Sequence, residues 1–218
     1  MYSFLIAVIA FLALFGLPPS SYPATVTAHT GAVRTEDNTL RSVKAGLACG
    51  ADIIEVDVRF FPDGMPALGH DELGPESVLL EAVFKLMRRY PSVSVNLDMK
   101  EKTHIPRMVE LAVQYGVEDR AFMTGMGRND CVAWRDCGLP YYLNSTDVAA
   151  AKEVGAMGVN INFRDCTEEL VQSAHEEGLL VSVWTVDEEP DMREMLQLDV
   201  DNITTRKPII LRRIMACA

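Results

Sequence analysis

The sequence predicts an α/β fold, a compact (β/α)₈ TIM barrel, and three observations support this class. Short β-rich runs alternate with helical patterns after Pro23, and the alternation gives eight candidate strands. Several of the runs are almost continuously apolar, as expected for parallel strands covered on both faces. Glycines close several helical patterns, where a left-handed cap residue costs little. At 218 residues, the chain suffices for one sizeable core.

The elements follow one another without an evident linker or low-complexity tract. The predicted strands cover residues 25–29, 52–60, 92–98, 121–125, 139–144, 158–163, 179–186 and 202–205. The predicted helices cover residues 39–49, 77–90, 105–115, 129–137, 147–155, 167–177 and 188–198. Such barrels place catalytic groups at the carboxyl ends of their strands, so the chemistry is expected there.

Residues 1–22 are predicted to be a signal peptide or membrane anchor, and residues 23–218 the barrel domain. An apolar run from residue 2 to residue 17 has the length of a signal-peptide core. It predicts a secreted or membrane-anchored protein, with membrane association through this segment. An extra N-terminal element packed on the domain is the alternative, since no Lys or Arg precedes the run.

The formal net charge of −11 argues against a nucleic-acid partner. Such partners require clustered Lys and Arg to neutralise their phosphates. An anionic small molecule must therefore be bound by a local site.

Polar residues collect where the first three predicted strands end. His29 ends the first strand, Glu55 and Asp57 lie in the second, and Asp98 and Lys100 end the third. Because strand side chains alternate, residues two apart share a face. Carboxylates facing a barrel interior are costly unless they are paired or bind a cation. Three converging carboxylates predict a hard divalent ion, Mg²⁺ or Ca²⁺.

A second histidine is expected beside the first. His70 follows a predicted turn at residues 62–64, which would carry it back over the same barrel end as His29. An imidazole can take a proton from an attacking hydroxyl, and another can give one to a leaving alcohol. The two histidines with a divalent ion predict phosphodiester cleavage.

Short motifs follow one another in a fixed order along the chain. They are AHTG at 28–31, EDNT at 36–39, GADIIEVDV at 50–58, DG at 63–64, GHD at 69–71, NLDMK at 96–100, VWTVD at 183–187 and DNITTRKP at 201–208. This ordered set resembles the glycerophosphodiester phosphodiesterase family, within the superfamily of phosphoinositide-lipase-like phosphodiesterases. The resemblance covers nearly all of residues 25–208.

The resemblance implies roles for the polar residues named above. His29 and His70 are the implied acid/base pair, with Lys100 close to the phosphate. The implied ligands of the divalent ion are Glu55, Asp57 and Asp98. In the family, a substrate hydroxyl next to the phosphate attacks phosphorus and expels the head-group alcohol. Water then opens the cyclic phosphate, so the expected products are glycerol 3-phosphate and an alcohol.

Departures from the family pattern concern phosphate binding above all. Thr30 stands where the family usually has an arginine after the first histidine, which removes a bidentate phosphate clamp. Arg59 or Arg34 is expected to supply the missing guanidinium. The usual third ligand, a glutamate, is the shorter Asp98. Trp184 is predicted to form an apolar wall of the pocket, with plain barrel core as the alternative.

Two other functions remain open from the sequence. One is a phospholipase-D-like or phosphoinositide-lipase-like enzyme that acts on lipid head groups. The segment after His70, often a sizeable insertion in the family, is cut here to residues 72–76, which predicts a more open pocket. The other is a non-catalytic binding barrel whose site was weakened by Thr30 and Asp98.

Overall fold

Eight parallel strands form a closed barrel with helices around it in a computed structural model that describes residues 24–217. A ninth, antiparallel strand pairs with the second one. The strands are β1 Thr25–Ala28, β2 Ile53–Phe60, β3 Pro66–Leu68, β4 Ser94–Met99, β5 Ala121–Met126, β6 Tyr141–Leu143, β7 Gly158–Asn162, β8 Leu180–Trp184 and β9 Asn202–Thr205. The helices are α1 Leu40–Ala48, α2 Leu80–Met87, α3 Ile105–Tyr115, α4 Arg128–Ala133, α5 Val148–Val154, α6 Glu168–Glu176, α7 Glu189–Gln197 and α8 Pro208–Ala216.

The barrel closes because β1 pairs in parallel with both β2 and β9. Ala28 lies opposite Ile54 on one side and Thr205 on the other. On the far edge of β2, Asp57 lies opposite Asp98 of β4. The carboxyl ends of all eight parallel strands therefore meet at one rim. The predicted (β/α)₈ fold class is confirmed.

Two elements were not among the predictions. β3 folds back on β2, with Val58 opposite Leu68 and Phe60 opposite Pro66. The predicted turn between them is present, and Gly64 in it has φ of 83°, a conformation that suits glycine. The second unpredicted element is α8, which begins at Pro208, a residue well suited to a first helical turn.

The predictions for residues 1–22 lie outside the described residues. Among residues 24–217, no helix combines the length and the apolar composition needed to cross a membrane.

Apolar side chains fill the space between the strands and the helices. Phe84 of α2, Leu97 of β4, Met108 of α3 and Met123 of β5 are all fully buried there. Large buried side chains of this kind contribute about 1.5–3 kcal/mol each through burial. This layer fixes the strands against one another and therefore fixes the rim.

The interior of the barrel is partly polar. Thr27 donates to Oδ1 of Asn202 (2.7 Å), and Nδ2 of Asn202 donates to Oγ of Ser182 (2.9 Å). The Ser182 hydroxyl donates in turn to Oδ1 of Asn160 (2.9 Å). Buried polar groups are tolerated when each finds a partner, and this row satisfies its members. A polar floor therefore underlies the rim.

Candidate active site

A cavity of about 510 Å³ opens at the carboxyl end of the barrel strands. Both candidate histidines, the three candidate metal ligands and Lys100 line it. The polar floor continues into it through Asn96, Thr124 and Asn160. Most of the residues that the sequence assigns to the site therefore share one concave space.

Three carboxylates converge at the rim, where β2 and β4 run side by side. Glu55 and Asp57 lie two residues apart on β2, and Asp98 is the register partner of Asp57 on β4. One oxygen from each carboxylate lies within 4.8 Å of the others. This group is compact enough to surround a single cation.

The two β2 carboxylates are each held by a neighbouring donor. The backbone N–H of Thr30 donates to Oε2 of Glu55 (2.8 Å). Nδ2 of Asn38 donates to Oδ2 of Asp57 (2.8 Å), and the Asp57 N–H donates back to Oδ1 of Asn38 (3.1 Å). These bonds orient the two carboxylates and engage only one oxygen of each.

Asp98 is arranged in the same way. The hydroxyl of Thr124 is shared between Oδ1 of Asp98 (3.1 Å) and Oδ1 of Asn96 (2.9 Å). Nζ of Lys100 donates to Oδ2 of Asp98 (2.5 Å). The same ammonium lies 3.1 Å from Oδ1 of Asp57. Lys100 therefore neutralises the oxygens of Asp57 and Asp98 that their other partners leave available.

The electrostatics of Glu55 suit a bound cation. Burial raises the pKa of its carboxyl well above the ordinary value of 4.5, and repulsion from Asp57 and Asp98 raises it further. The Thr30 N–H and Lys100 act in the opposite direction without cancelling the effect. Three carboxylate oxygen donors with an excess of negative charge fit a hard divalent ion.

His29 is partly buried, with 21% of its side chain exposed. Its Nδ1 lies 2.6 Å from the carbonyl oxygen of Thr30. A carbonyl can only accept a hydrogen bond, so the proton of the neutral ring is assigned to Nδ1. This tautomer leaves Nε2 with a lone pair that can accept a proton. Nδ1 also lies 4.0 Å from Oε2 of Glu55.

His70 also lines the cavity, from the turn after β3, and 64% of its side chain is exposed. Its Nδ1 lies 2.8 Å from Oδ1 of Asp71, which again leaves Nε2 free for proton transfer. Nε of Arg59 donates to the His70 carbonyl oxygen (2.9 Å). Two neighbouring residues therefore fix the position of this histidine.

The structure does not bring Arg59 and Arg34 into the cavity, contrary to the expectation from the sequence. Arg59 turns to the backbone of His70, and Arg34 is exposed in the loop after β1; neither lines the cavity. Alternation along β2 predicted the correct side for Arg59, but the hairpin with β3 offers its guanidinium a backbone acceptor. The guanidinium that does line the cavity is that of Arg206, from the end of β9.

Trp184 does line the cavity, with 37% of the residue exposed. Its position at the end of β8 makes it a wall of the pocket and not barrel core. Asn38, Thr124 and Arg206 are site residues that received no role from the sequence. Asn38 and Arg206 stand in motifs that carry the resemblance, whereas Thr124 gave no signal of its own.

A (β/α)₈ barrel with two imidazoles, an ammonium and an acidic cluster at its catalytic rim defines a hydrolase of phosphate diesters. The model of the Glycerophosphoryl diester phosphodiesterase family matches residues 20–114 and 132–209. The chain therefore belongs to the glycerophosphoryl diester phosphodiesterase family.

Curated relatives agree with this assignment. A glycerophosphodiester phosphodiesterase of Bacillus altitudinis is 23% identical, and the match covers 79% of this chain and 89% of the relative. Another, from Caldanaerobacter subterraneus subsp. tengcongensis, is also 23% identical, with 84% and 94% covered.

Solved structures share the fold. A glycerophosphodiester phosphodiesterase from Parabacteroides distasonis superposes with a TM-score of 0.78 at 21% identity, covering 90% of this chain and 98% of that one. An Oleispira antarctica phosphodiesterase, solved with the product sn-glycerol-3-phosphate, has a TM-score of 0.75 at 17% identity, covering 92% and 98%.

Proposed function

We propose that the protein hydrolyses small glycerophosphodiesters to glycerol 3-phosphate and an alcohol. His29 and His70 act as the acid/base pair, while Glu55, Asp57 and Asp98 hold Mg²⁺ or Ca²⁺. The observation that carries the proposal is that both histidines line the cavity that contains the three-carboxylate cluster. The names of the curated relatives and the product in the Oleispira structure support the substrate class.

The two imidazoles balance the protons of the reaction. One ring begins neutral and accepts the proton of the attacking oxygen at Nε2, while the other begins as an imidazolium and donates its Nε2 proton to the oxygen of the leaving alcohol. The phosphorus–oxygen bond to the head group breaks as the new one forms. If a substrate hydroxyl attacks first, water opens the resulting cyclic phosphate in a second step with the roles reversed. The sum of the two steps is the addition of one water.

The carboxylate cluster determines where a divalent ion can bind, and therefore where negative charge on the phosphate can be neutralised. A bound divalent ion supplies Lewis-acid polarisation of a phosphoryl oxygen and partial neutralisation of its charge. Asn38 and Thr124 keep Asp57 and Asp98 oriented for that ion. In this proposal Lys100, which is adjacent to Asp57 and Asp98, contacts the phosphate; its position at the carboxylate cluster supports this role.

Wild-type protein is assayed for release of glycerol 3-phosphate from glycerophosphocholine and glycerophosphoethanolamine, with Mg²⁺, with Ca²⁺ and with a chelator. Turnover that requires an ion and falls by about 10³-fold or more in His29→Ala and His70→Ala is expected. His104→Ala is the matched control, because His104 is exposed and does not line the cavity.

The same assay separates the alternatives. If the protein cleaves lipid head groups in vesicles but does not cleave the small diesters, lipids replace glycerophosphodiesters as the proposed substrate class. A folded protein that binds neither Mg²⁺ nor Ca²⁺ in calorimetry and cleaves no diester would establish a non-catalytic barrel. The relatives named above are glycerophosphodiesterases, so neither alternative is favoured.

A further inference from the structure

Arg206 is the arginine that lines the cavity among residues 24–217. It follows the last residue of β9, so it stands at the rim beside β1. Its Nε lies 3.4 Å from Nδ1 of His29. Because the Nδ1 proton already points to the Thr30 carbonyl, this approach is a close contact of a guanidinium with the ring edge. Arg206 therefore brings a permanent positive charge next to a proposed acid/base residue.

The backbone of Arg206 is fixed on both sides. Its N–H donates to Oδ1 of Asp187 (2.8 Å), an oxygen that also accepts from Oγ1 of Thr205 (3.0 Å). Its carbonyl accepts from the N–H of Val33 (3.0 Å). The base of the side chain is thus anchored at the rim, which reduces the entropy lost when the guanidinium binds a ligand.

The head of the side chain remains available. Arg206 Nη2 pairs with Oδ2 of Asp37 (2.9 Å), and the two side chains are 46% and 47% exposed. An ion pair with this exposure is worth little, so an incoming anion can compete with the carboxylate. Nη1 has no hydrogen-bond partner in the described part of the chain.

The other cations at the cavity are less available. Lys100 already contacts Asp57 and Asp98, and Lys102 lies 3.9 Å from Asp130. Thr30, beside His29, is buried and uses its hydroxyl to accept from the N–H of Asn38 (2.5 Å). It therefore contributes no charge to the cavity at this place.

We propose that Arg206 binds the phosphate group of the substrate beside His29, exchanging its exposed ion pair with Asp37 for phosphoryl oxygens. Its planar guanidinium donates two N–H groups to one phosphate, a geometry that lysine does not reproduce. The phosphate-binding arginine thus comes from the last barrel strand. This assignment rests on the proposed phosphodiesterase function.

The test compares Arg206→Ala and Arg206→Lys with wild type by turnover of glycerophosphocholine and by calorimetric titration with glycerol 3-phosphate and inorganic phosphate. Arg206→Ala is expected to raise KM and to bind glycerol 3-phosphate about 10- to 100-fold more weakly, with Arg206→Lys in between. Arg128→Ala is the control, since Arg128 is another exposed arginine paired with a carboxylate, Glu153, and neither residue lines the cavity. It is expected to match wild type.

Added methylguanidinium is expected to restore part of the turnover of Arg206→Ala and none of that of His29→Ala. A purely structural ion pair with Asp37 would not give this rescue. Unchanged KM and unchanged phosphate affinity in folded Arg206→Ala would overturn the assignment while the proposed function stands. Weaker phosphate binding in Arg206→Ala, with no diester turnover by wild type, would support the assignment and overturn the function. Wild type that neither binds phosphate nor cleaves diesters would overturn both.

Discussion

The ammonium of Lys100 lies 2.5 Å from Oδ2 of Asp98, inside the group of carboxylates that fits a divalent ion. The same Nζ reaches Asp57 at 3.1 Å. Its charged form is favoured by both carboxylates, and the pKa of Lys100 is raised although burial opposes this. Lys100 therefore both neutralises the cluster and competes with a cation for it.

Lys100→Met is expected to bind the divalent ion more tightly while losing turnover. Removing the competing ammonium frees oxygens of Asp57 and Asp98, for an expected gain of about tenfold in affinity, or about 1.4 kcal/mol. Calorimetric titration with Ca²⁺ or Mg²⁺ measures the first effect, and the diester assay measures the second. Weaker ion binding in a folded variant would show that Lys100 organises the carboxylates instead of competing.

Without an ion, the stability of the protein is expected to decrease as pH rises, because of Glu55. Its pKa is raised in the fold, so between the ordinary value of 4.5 and the raised value the folded state holds a proton that the unfolded state has released. The free energy of unfolding is then highest below the ordinary pKa and is lost as pH rises through the folded one.

Glu55→Gln is expected to remove this loss. Urea unfolding in chelator should therefore show that the free energy of unfolding of the variant rises relative to that of wild type from pH 5 to pH 8. A saturating divalent ion should narrow the gap by stabilising wild type more than the variant, since the uncharged amide is a poorer ligand. Parallel pH profiles for the two proteins in chelator would contradict the account.

Asn38→Ala is expected to weaken ion binding by about 10- to 100-fold, the usual effect of losing a group that orients a ligand. Asn38 both donates to the Asp57 side chain and accepts from its backbone N–H, so its loss frees the carboxylate to rotate. Asn129→Ala, at an exposed position that does not line the cavity, is the matched control. Equal ion affinity in both variants would remove Asn38 from the site.

Asp71→Asn is expected to lower kcat for diester cleavage by about tenfold without changing ion affinity. The Asp71 carboxylate fixes the proton of His70 on Nδ1, and the amide can accept or donate there, so the tautomer is no longer determined. Glu72→Gln removes the same charge from the neighbouring exposed position and should leave kcat unchanged. Equal loss in both variants would point to the net charge of the loop.

The barrel was predictable because its signals are local. Apolar strand runs, helical periodicity and cap glycines each depend on a few consecutive residues, and their order along the chain implies the parallel sheet. β3 is three residues long and gives almost no periodic signal, so only its pairing with β2 defines it. α8 begins shortly after the last strand, at Pro208, and was not among the predicted helices.

The sequence by itself determined the composition of the site: alternation puts Glu55 and Asp57 on one face, and the motif order adds His29, His70 and Asp98. The tertiary structure decided which cations join them. The sequence pointed to Arg59 or Arg34 and gave Arg206 no role. In the structure Arg59 finds a backbone acceptor in the β2–β3 hairpin, whereas barrel closure brings Arg206 next to His29. The position of a long side chain depends on the hydrogen-bond acceptors within its reach, and the tertiary fold decides which acceptors those are.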